Sequence, residues 1–556
     1  MDEGIRQLGD EYYEEFLKRS PTMALMLGDH RFDDQMEDLS REQEDETISQ
    51  LRSFASRAKA IDPAGLALQD RLSRDVLIFE ATSTADLMET RQAEMDANPA
   101  MSVHVLLPTA AAQFPIMEPE HAEALVVKYG KMGTAMHQWA DRLRQGVEAG
   151  RTPPRLMAEK VVAQLEAYLA SPIDTDPLVA AVGPPSAFDS AATSAWREQL
   201  ADQVRGSIKP GFEELRRALI EDVLPVARGE DQVGIKWTPG GDDAYQAAIY
   251  SYTSLDLAAE EIHQIGLDTI ATLEDEYREL GSEVFGTSDL SEIYSRMKDD
   301  PDLRFASAEE VVAASQAALE KGKAAMGDWF GRLPKADCLV STVEQGPEAF
   351  YFPPAQDGSR PGIFFMNVAD PSGWTKYGIE ATVFHEGIPG HHLQIAIAQE
   401  LEDVPEFRKH SIVTAYAEGW GLYTERLSDE MGMYSGQLNR LGMLAADSMR
   451  ATRLVVDTGM HALGWSRKQA IDYALANVPT SEKAVVSEVD RYIGLPGQAL
   501  AYMLGRKEII RIRSQAEVTM GDKFDIKGFH DTVLGSGALP LPVLANLVEE
   551  WSAGRV

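Results

Sequence analysis

The chain has 556 residues, 44% of them hydrophobic and 25% charged, the make-up of a soluble globular protein and not of a disordered or fibrous one. Its 52 basic and 89 acidic residues leave a formal charge of −37, which repels phosphate backbones and anionic lipid and so disfavours nucleic-acid and membrane partners. The single cysteine, Cys338, excludes an intramolecular disulfide and a thiolate zinc cluster, so any bound metal must use imidazole and carboxylate.

The N-terminus lacks the charged-then-apolar pattern of a signal segment and no run approaches bilayer length, so a cytoplasmic enzyme is expected. From Gly9 to about Ala170 apolar residues recur at three- and four-residue spacing, as Leu72, Val76 and Phe79 do, which predicts helices. Ser20-Pro21, Asp62-Pro63, Asn98-Pro99 and Thr152-Pro153-Pro154 punctuate them. The proline-rich stretch from Ser171 to Pro185 reads as a loop or lobe junction. It divides one large helical unit into an N-terminal lobe, 1–185, and a lobe bearing the candidate site, 186–556. Strand character is confined to Ala349–Pro353 and Gly362–Val368, a hairpin with its turn at Asp357-Gly358. A strand edge there would suit an extended peptide.

The next stretch, Phe384-His385-Glu386-Gly387-Ile388-Pro389-Gly390-His391-His392, gathers three of only 11 histidines beside an acid. Zinc hydrolases commonly use His-Glu-x-x-His, with two imidazoles one helical turn apart and the glutamate acting on water. Here Pro389 stands where the second histidine belongs. On a straight helix His391 would point about 120° away from His385, so the helix over 375–400 is expected to kink or bulge at Pro389-Gly390. That change brings His391 round as second ligand, with His392 beside it in a supporting, substrate-facing role. A following helix, Ala415-Tyr-Ala-Glu418-Gly-Trp-Gly-Leu-Tyr-Thr-Glu425, offers Glu418 as third ligand, on one face with Leu422 and Glu425.

These residues also carry a resemblance. His385-Glu386-x-x-Pro389-Gly390-His391-His392 followed by Ala417-Glu418-Gly419-Trp420 resembles the bacterial domain-of-unknown-function family 885, and the likeness extends over nearly the whole chain. It includes Asp457-Thr-Gly-x-His461 and Leu495-Pro-Gly-Gln-Ala-Leu-Ala-Tyr502. The resemblance implies a helical, groove-shaped fold similar to zinc carboxypeptidases, with the metal at the base of the groove.

Three ligands, His385, His391 and Glu418, leave a fourth position of one zinc ion open, the arrangement of a catalytic site. Glu386 is then the general base and later acid. A developing oxyanion needs a donor, for which His461, Tyr492 and Tyr502 are candidates, His461 with Asp457 one turn earlier to orient it. Arg491 and Arg506 are candidates to grip a substrate carboxylate. The expectation is a mainly α zinc metallopeptidase, carboxypeptidase-like or acting on short peptides. The alternatives are a zinc hydrolase of another amide or ester, a metal-stabilised peptide-binding protein without activity, and a ferrous site with the same ligands.

Overall fold

Proline and capping residues set the helix ends. In the computed structural model, which describes residues 2–102, 104–106, 114–344, 347–355, 358 and 360–554, the first helix, α1 (Glu3–Arg19), is capped by Asp2 and stops before Ser20-Pro21. α2 (Arg41–Ala60) is capped by Ser40 and ends ahead of Asp62-Pro63. α3 (Leu68–Glu89) follows, and Pro154 precedes the helix Arg155–Ala170. Between 171 and 185 there are only single turns of helix.

The fold is mainly α, with one small sheet. One apolar cluster joins Leu8 of α1, Leu51 of α2 and Val76 of α3 to residues from the far end of the chain, Phe384, Trp420, Ile509 and Leu544. The first helices therefore wall the same interior as the histidine motif. A separate cluster, running from Leu25 to Val223, is built around the long helix Pro119–Glu148. In a third, α4 (Ala259–Phe285) lays Leu273 and Tyr277 against Leu444 and Leu454.

The sheet has three strands, β1 (Cys338–Val343), β2 (Ala349–Phe352) and β3 (Gly362–Asn367), in the order β1-β3-β2. β2 and β3 pair antiparallel, Phe350 opposite Phe365, as the hairpin reading expects. Its turn residue Asp357 lies outside the described residues. β1 was not anticipated and pairs parallel with β3, Cys338 opposite Gly362. β3 buries Gly362, Phe364 and Met366 on one face, the period of two that a half-buried strand requires. β2 is left at an edge. Beside it opens a cleft of about 1630 Å³, walled by β2, the histidine motif and the helices that follow. Among the described residues no helix is long and apolar enough to cross a membrane.

Candidate metal centre

α5 (Ile379–Glu386) ends at the motif, and its last helical bond runs from the Gly387 N–H to the Val383 carbonyl at 2.8 Å. Pro389 has no N–H to continue the ladder. At Gly390 a Cβ would stand 1.8 Å from the His385 carbonyl oxygen, so only glycine lets the chain fold back so closely. α6 (His391–Gln399) starts afresh at the next residue. The single kinked or bulged helix expected over 375–400 is thus replaced by two helices. The backbone leaves helical values altogether at both glycines, with ψ −115° at Gly387 and −127° at Gly390. The break turns the rings of His385 and His391 edge to face, 88° apart with centroids at 4.8 Å.

α7 (Thr414–Glu430) completes the site from the other side. Its Trp420, fully buried, donates its indole N–H to the Pro389 carbonyl at 3.0 Å and pins the break. Gly421 gives room to the imidazole of His385, since a Cβ there would come within 2.7 Å of the ring. Glu418 places Oε2 at 3.6 Å from Nε2 of His385 and 3.6 Å from Nε2 of His391. Atoms bound about 2.0–2.1 Å from one tetrahedral ion stand roughly 3.3 Å apart, so this triangle is close to the size a zinc ion needs. One turn further on, Glu425 accepts the Nδ1–H of His385 at 2.8 Å. That bond fixes the ring's tautomer and leaves Nε2 to face Glu418. Glu425 is the supporting group that the sequence reading passed over.

The charges favour a cation. Burial opposes a charge on His385, yet Glu418 and Glu425 raise its pKa to about 9. Burial likewise opposes the Glu418 carboxylate, but the two imidazoles hold it far below the usual range. A pocket that keeps a proton on a buried imidazole in this way offers the same stabilisation to a metal ion. His385, His391 and Glu418 therefore fit a divalent ion that prefers nitrogen and oxygen donors. Glu386 lines the cleft beside them, as do His391, Glu418 and Tyr502. The Tyr502 ring stacks at 6.5 Å from that of His385.

Five expected site residues lie elsewhere. His392 is buried, with Nδ1 at 2.9 Å from the Tyr351 hydroxyl and Nε2 at 3.1 Å from the Ala336 carbonyl, so it ties α6 to the sheet and has no nitrogen left for substrate. His461 has both ring nitrogens taken by backbone, accepting the Ile235 N–H at 3.1 Å and donating to the Tyr492 carbonyl at 3.0 Å. Its supposed partner Asp457 bonds Tyr245 instead. Tyr492 is buried with its hydroxyl between Arg453 and Glu488 and does not reach the cleft. Arg491 is held by Glu488 and by Gln498. Arg506 is buried against Asp447. Neither arginine is free to grip a substrate.

Among the arginines that line the cleft are Arg450 and Arg453, both on α8 (Gln437–His461), and Arg450 reaches toward Glu425 beside His385. Their three-residue spacing was a visible signal. It looks like that of any helix surface pair, and only the neighbouring helices decide which face is the cleft.

Comparison with known proteins agrees with this architecture. No curated protein matches the chain. Solved structures do, two of them over nearly their whole length. The first is described as "putative lipoprotein from Colwellia psychrerythraea", with a TM-score of 0.91 and 27% identity over 99% of this chain and 99% of that one. The second, "a putative lipoprotein of unknown function from Shewanella oneidensis", has a TM-score of 0.78 and 16% identity over 98% of this chain and 100% of that one, and so shows the fold alone. The family described as "Bacterial protein of unknown function (DUF885)" matches residues 21–548, and the chain belongs to that family.

Proposed function

We propose that the protein is a zinc-dependent hydrolase of peptide bonds, similar to helical zinc carboxypeptidases and acting near the end of short peptides. The observation that carries this reading is the convergence of His385 Nε2, His391 Nε2 and Glu418 Oε2, with Glu386 beside them on the wall of a long cleft. A bound zinc ion supplies Lewis acidity, lowering the pKa of a water and polarising a carbonyl.

The remaining work belongs to the chain. Glu386 follows His385 directly and faces the cleft, where it takes a proton from the attacking water and returns it to the departing amine. Tyr502 is the residue among the expected donors that lines the cleft, and its hydroxyl is our candidate donor to the oxygen on which charge develops. At about 1630 Å³ the cleft exceeds the roughly 300–1,000 Å³ of pockets for single small molecules, which suits a chain of several residues. The outer edge of β2 has no strand partner among the described residues, and an extended backbone can pair along it.

The test is a peptide library incubated with the purified protein, with and without chelator, and read by mass spectrometry beside elemental analysis. Expected are about one zinc per chain and cleavage abolished by chelation. Iron in place of zinc would change the metal assignment. Zinc without cleavage of any peptide would sink the peptidase reading.

A further inference from the structure

We propose that Arg450, backed by Arg453, anchors a free carboxylate at the end of the substrate. This rests on the peptide-hydrolase reading and adds to it the group that selects which bond is cut.

Arg450 stands one side chain away from a metal ligand. Its Nη2 lies 3.7 Å from Glu425 Oε1, the same oxygen that accepts from His385 Nδ1 at 2.8 Å. It is also thinly bonded for a guanidinium with five N–H groups. Nη1 reaches the Ala446 carbonyl at a long 3.3 Å, and Nε has no partner. The side chain is 20% exposed and lines the cleft.

Arg453 is one helical turn further along the same wall and supplies the support. Its guanidinium lies 4.4 Å over the Tyr502 ring, and Tyr492 and Glu488 hold Nε and Nη2 at 2.9 and 2.8 Å. Its Nη1 has no partner. Glu488 also pairs with Arg491 at 3.1 Å, so one carboxylate serves two guanidiniums. Deeper in, the arginines are matched: Arg426 has Asp447 at 2.5 Å and Glu276 at 2.7 Å, and Arg506 has Asp447.

The ligand follows from the chemistry. A guanidinium with open N–H groups in a partly desolvated cleft prefers a carboxylate. In a peptide the terminal carboxylate carbon is three bonds from the preceding carbonyl carbon. An anchor placed one side chain from His385 therefore selects the last peptide bond, and the product is a single amino acid.

The test uses the full chain, zinc-loaded, with Glu386→Gln to keep the substrate uncut. The probes are an N-acetylated hexa-alanine with a free C-terminal acid and the same peptide amidated, with binding followed by calorimetry. The acid is expected to bind roughly ten- to a hundredfold more tightly, the value of a charged hydrogen bond. Adding Arg450→Gln should bring the ratio near one with zinc content unchanged, and Arg450→Lys should restore part of it. Equal binding of acid and amide, no binding of either, or a ratio untouched by Arg450→Gln would overturn the anchor. Cleavage by the unmodified enzyme separates the two claims. Equal rates on acid and amide remove the anchor and leave the hydrolase. Acid-selective binding without any cleavage removes the hydrolase and leaves the anchor.

Discussion

Among the described residues, two places bring a pair of histidines and a carboxylate within 4.8 Å of one another: His385, His391 and Glu418 in the cleft, and His30, Asp33 and His121 near the N-terminus. By residue type they are equivalent. Their geometry is not. The lone pairs of an imidazole lie in the ring plane, so two rings can share an ion only if their planes meet near it. His385 and His391 stand at 88°, with both Nε2 atoms turned to Glu418. His30 and His121 are stacked, 7° apart with centroids at 3.6 Å. An ion between them would sit about half that separation out of each plane. Asp33 already holds His30 Nδ1 at 2.7 Å, and His121 helps cap its own helix. Whether such a trio can hold a metal thus depends on how the chain turns between its members more than on which residues are present, and between His385 and His391 that turn is the break at Gly387–Gly390.

The largest expected effect separates the clusters outright. His391→Ala or Glu418→Ala should release nearly all bound zinc, measured by elemental analysis after dialysis, whereas His30→Ala should leave the content at about one per chain. Zinc lost on His30→Ala and kept on His391→Ala would reverse the comparison. Next comes the chemical step. Glu386→Gln removes a proton acceptor without touching a ligand, so zinc should stay while kcat falls by roughly 10²–10⁴. Unchanged turnover in a preparation free of other peptidases would exclude the proposed base. Smaller again is the supporting bond to His385: Glu425→Gln should weaken zinc binding roughly 10–100-fold, read by competition with a chelator. Unaltered affinity would mean that the packing of α7 alone orients the ring.

Much of the site was readable because it rests on local rules. Pro389-Gly390 announces that the helix cannot continue, and the count from His385 to His391 then makes sense only with a turn between them. Glu418 stands out by its small and aromatic neighbours. What stayed hidden depends on which face of an element meets which neighbour. Arg491 and Arg506 looked suitable by their nearness to tyrosines, yet Glu488 and Asp447, remote or unremarkable in sequence, had already claimed them. His461 looked like a donor with an acid one turn behind it, but a helical period says nothing of the Ile235 N–H that arrives from 226 positions away. β1 was missed for a similar reason: with a single fully buried position it lacks clean alternation, and only its parallel pairing with β3 makes it a strand.

The last effect concerns buried histidines that serve the fold. His461 and His530 are fully buried, and each donates to a backbone carbonyl, Tyr492 and Trp329 respectively. Burial outweighs those bonds and lowers both pKa values to about 4. In the unfolded chain each would titrate near 6.5. A group whose folded pKa is depressed keeps its full contribution above the unfolded value. As pH falls from about 6.5 to about 4 the unfolded state takes up protons that the folded state refuses, and stability drops by up to ~1.4 kcal/mol per pH unit for each ring. Denaturant midpoints of the zinc-free protein should therefore decline across that window. His530→Gln, which can keep a side-chain donor toward Trp329, should lower stability at pH 7 but flatten the slope. A slope identical to that of the unmodified chain would show that His530 titrates normally in the folded state and is not held neutral by the core.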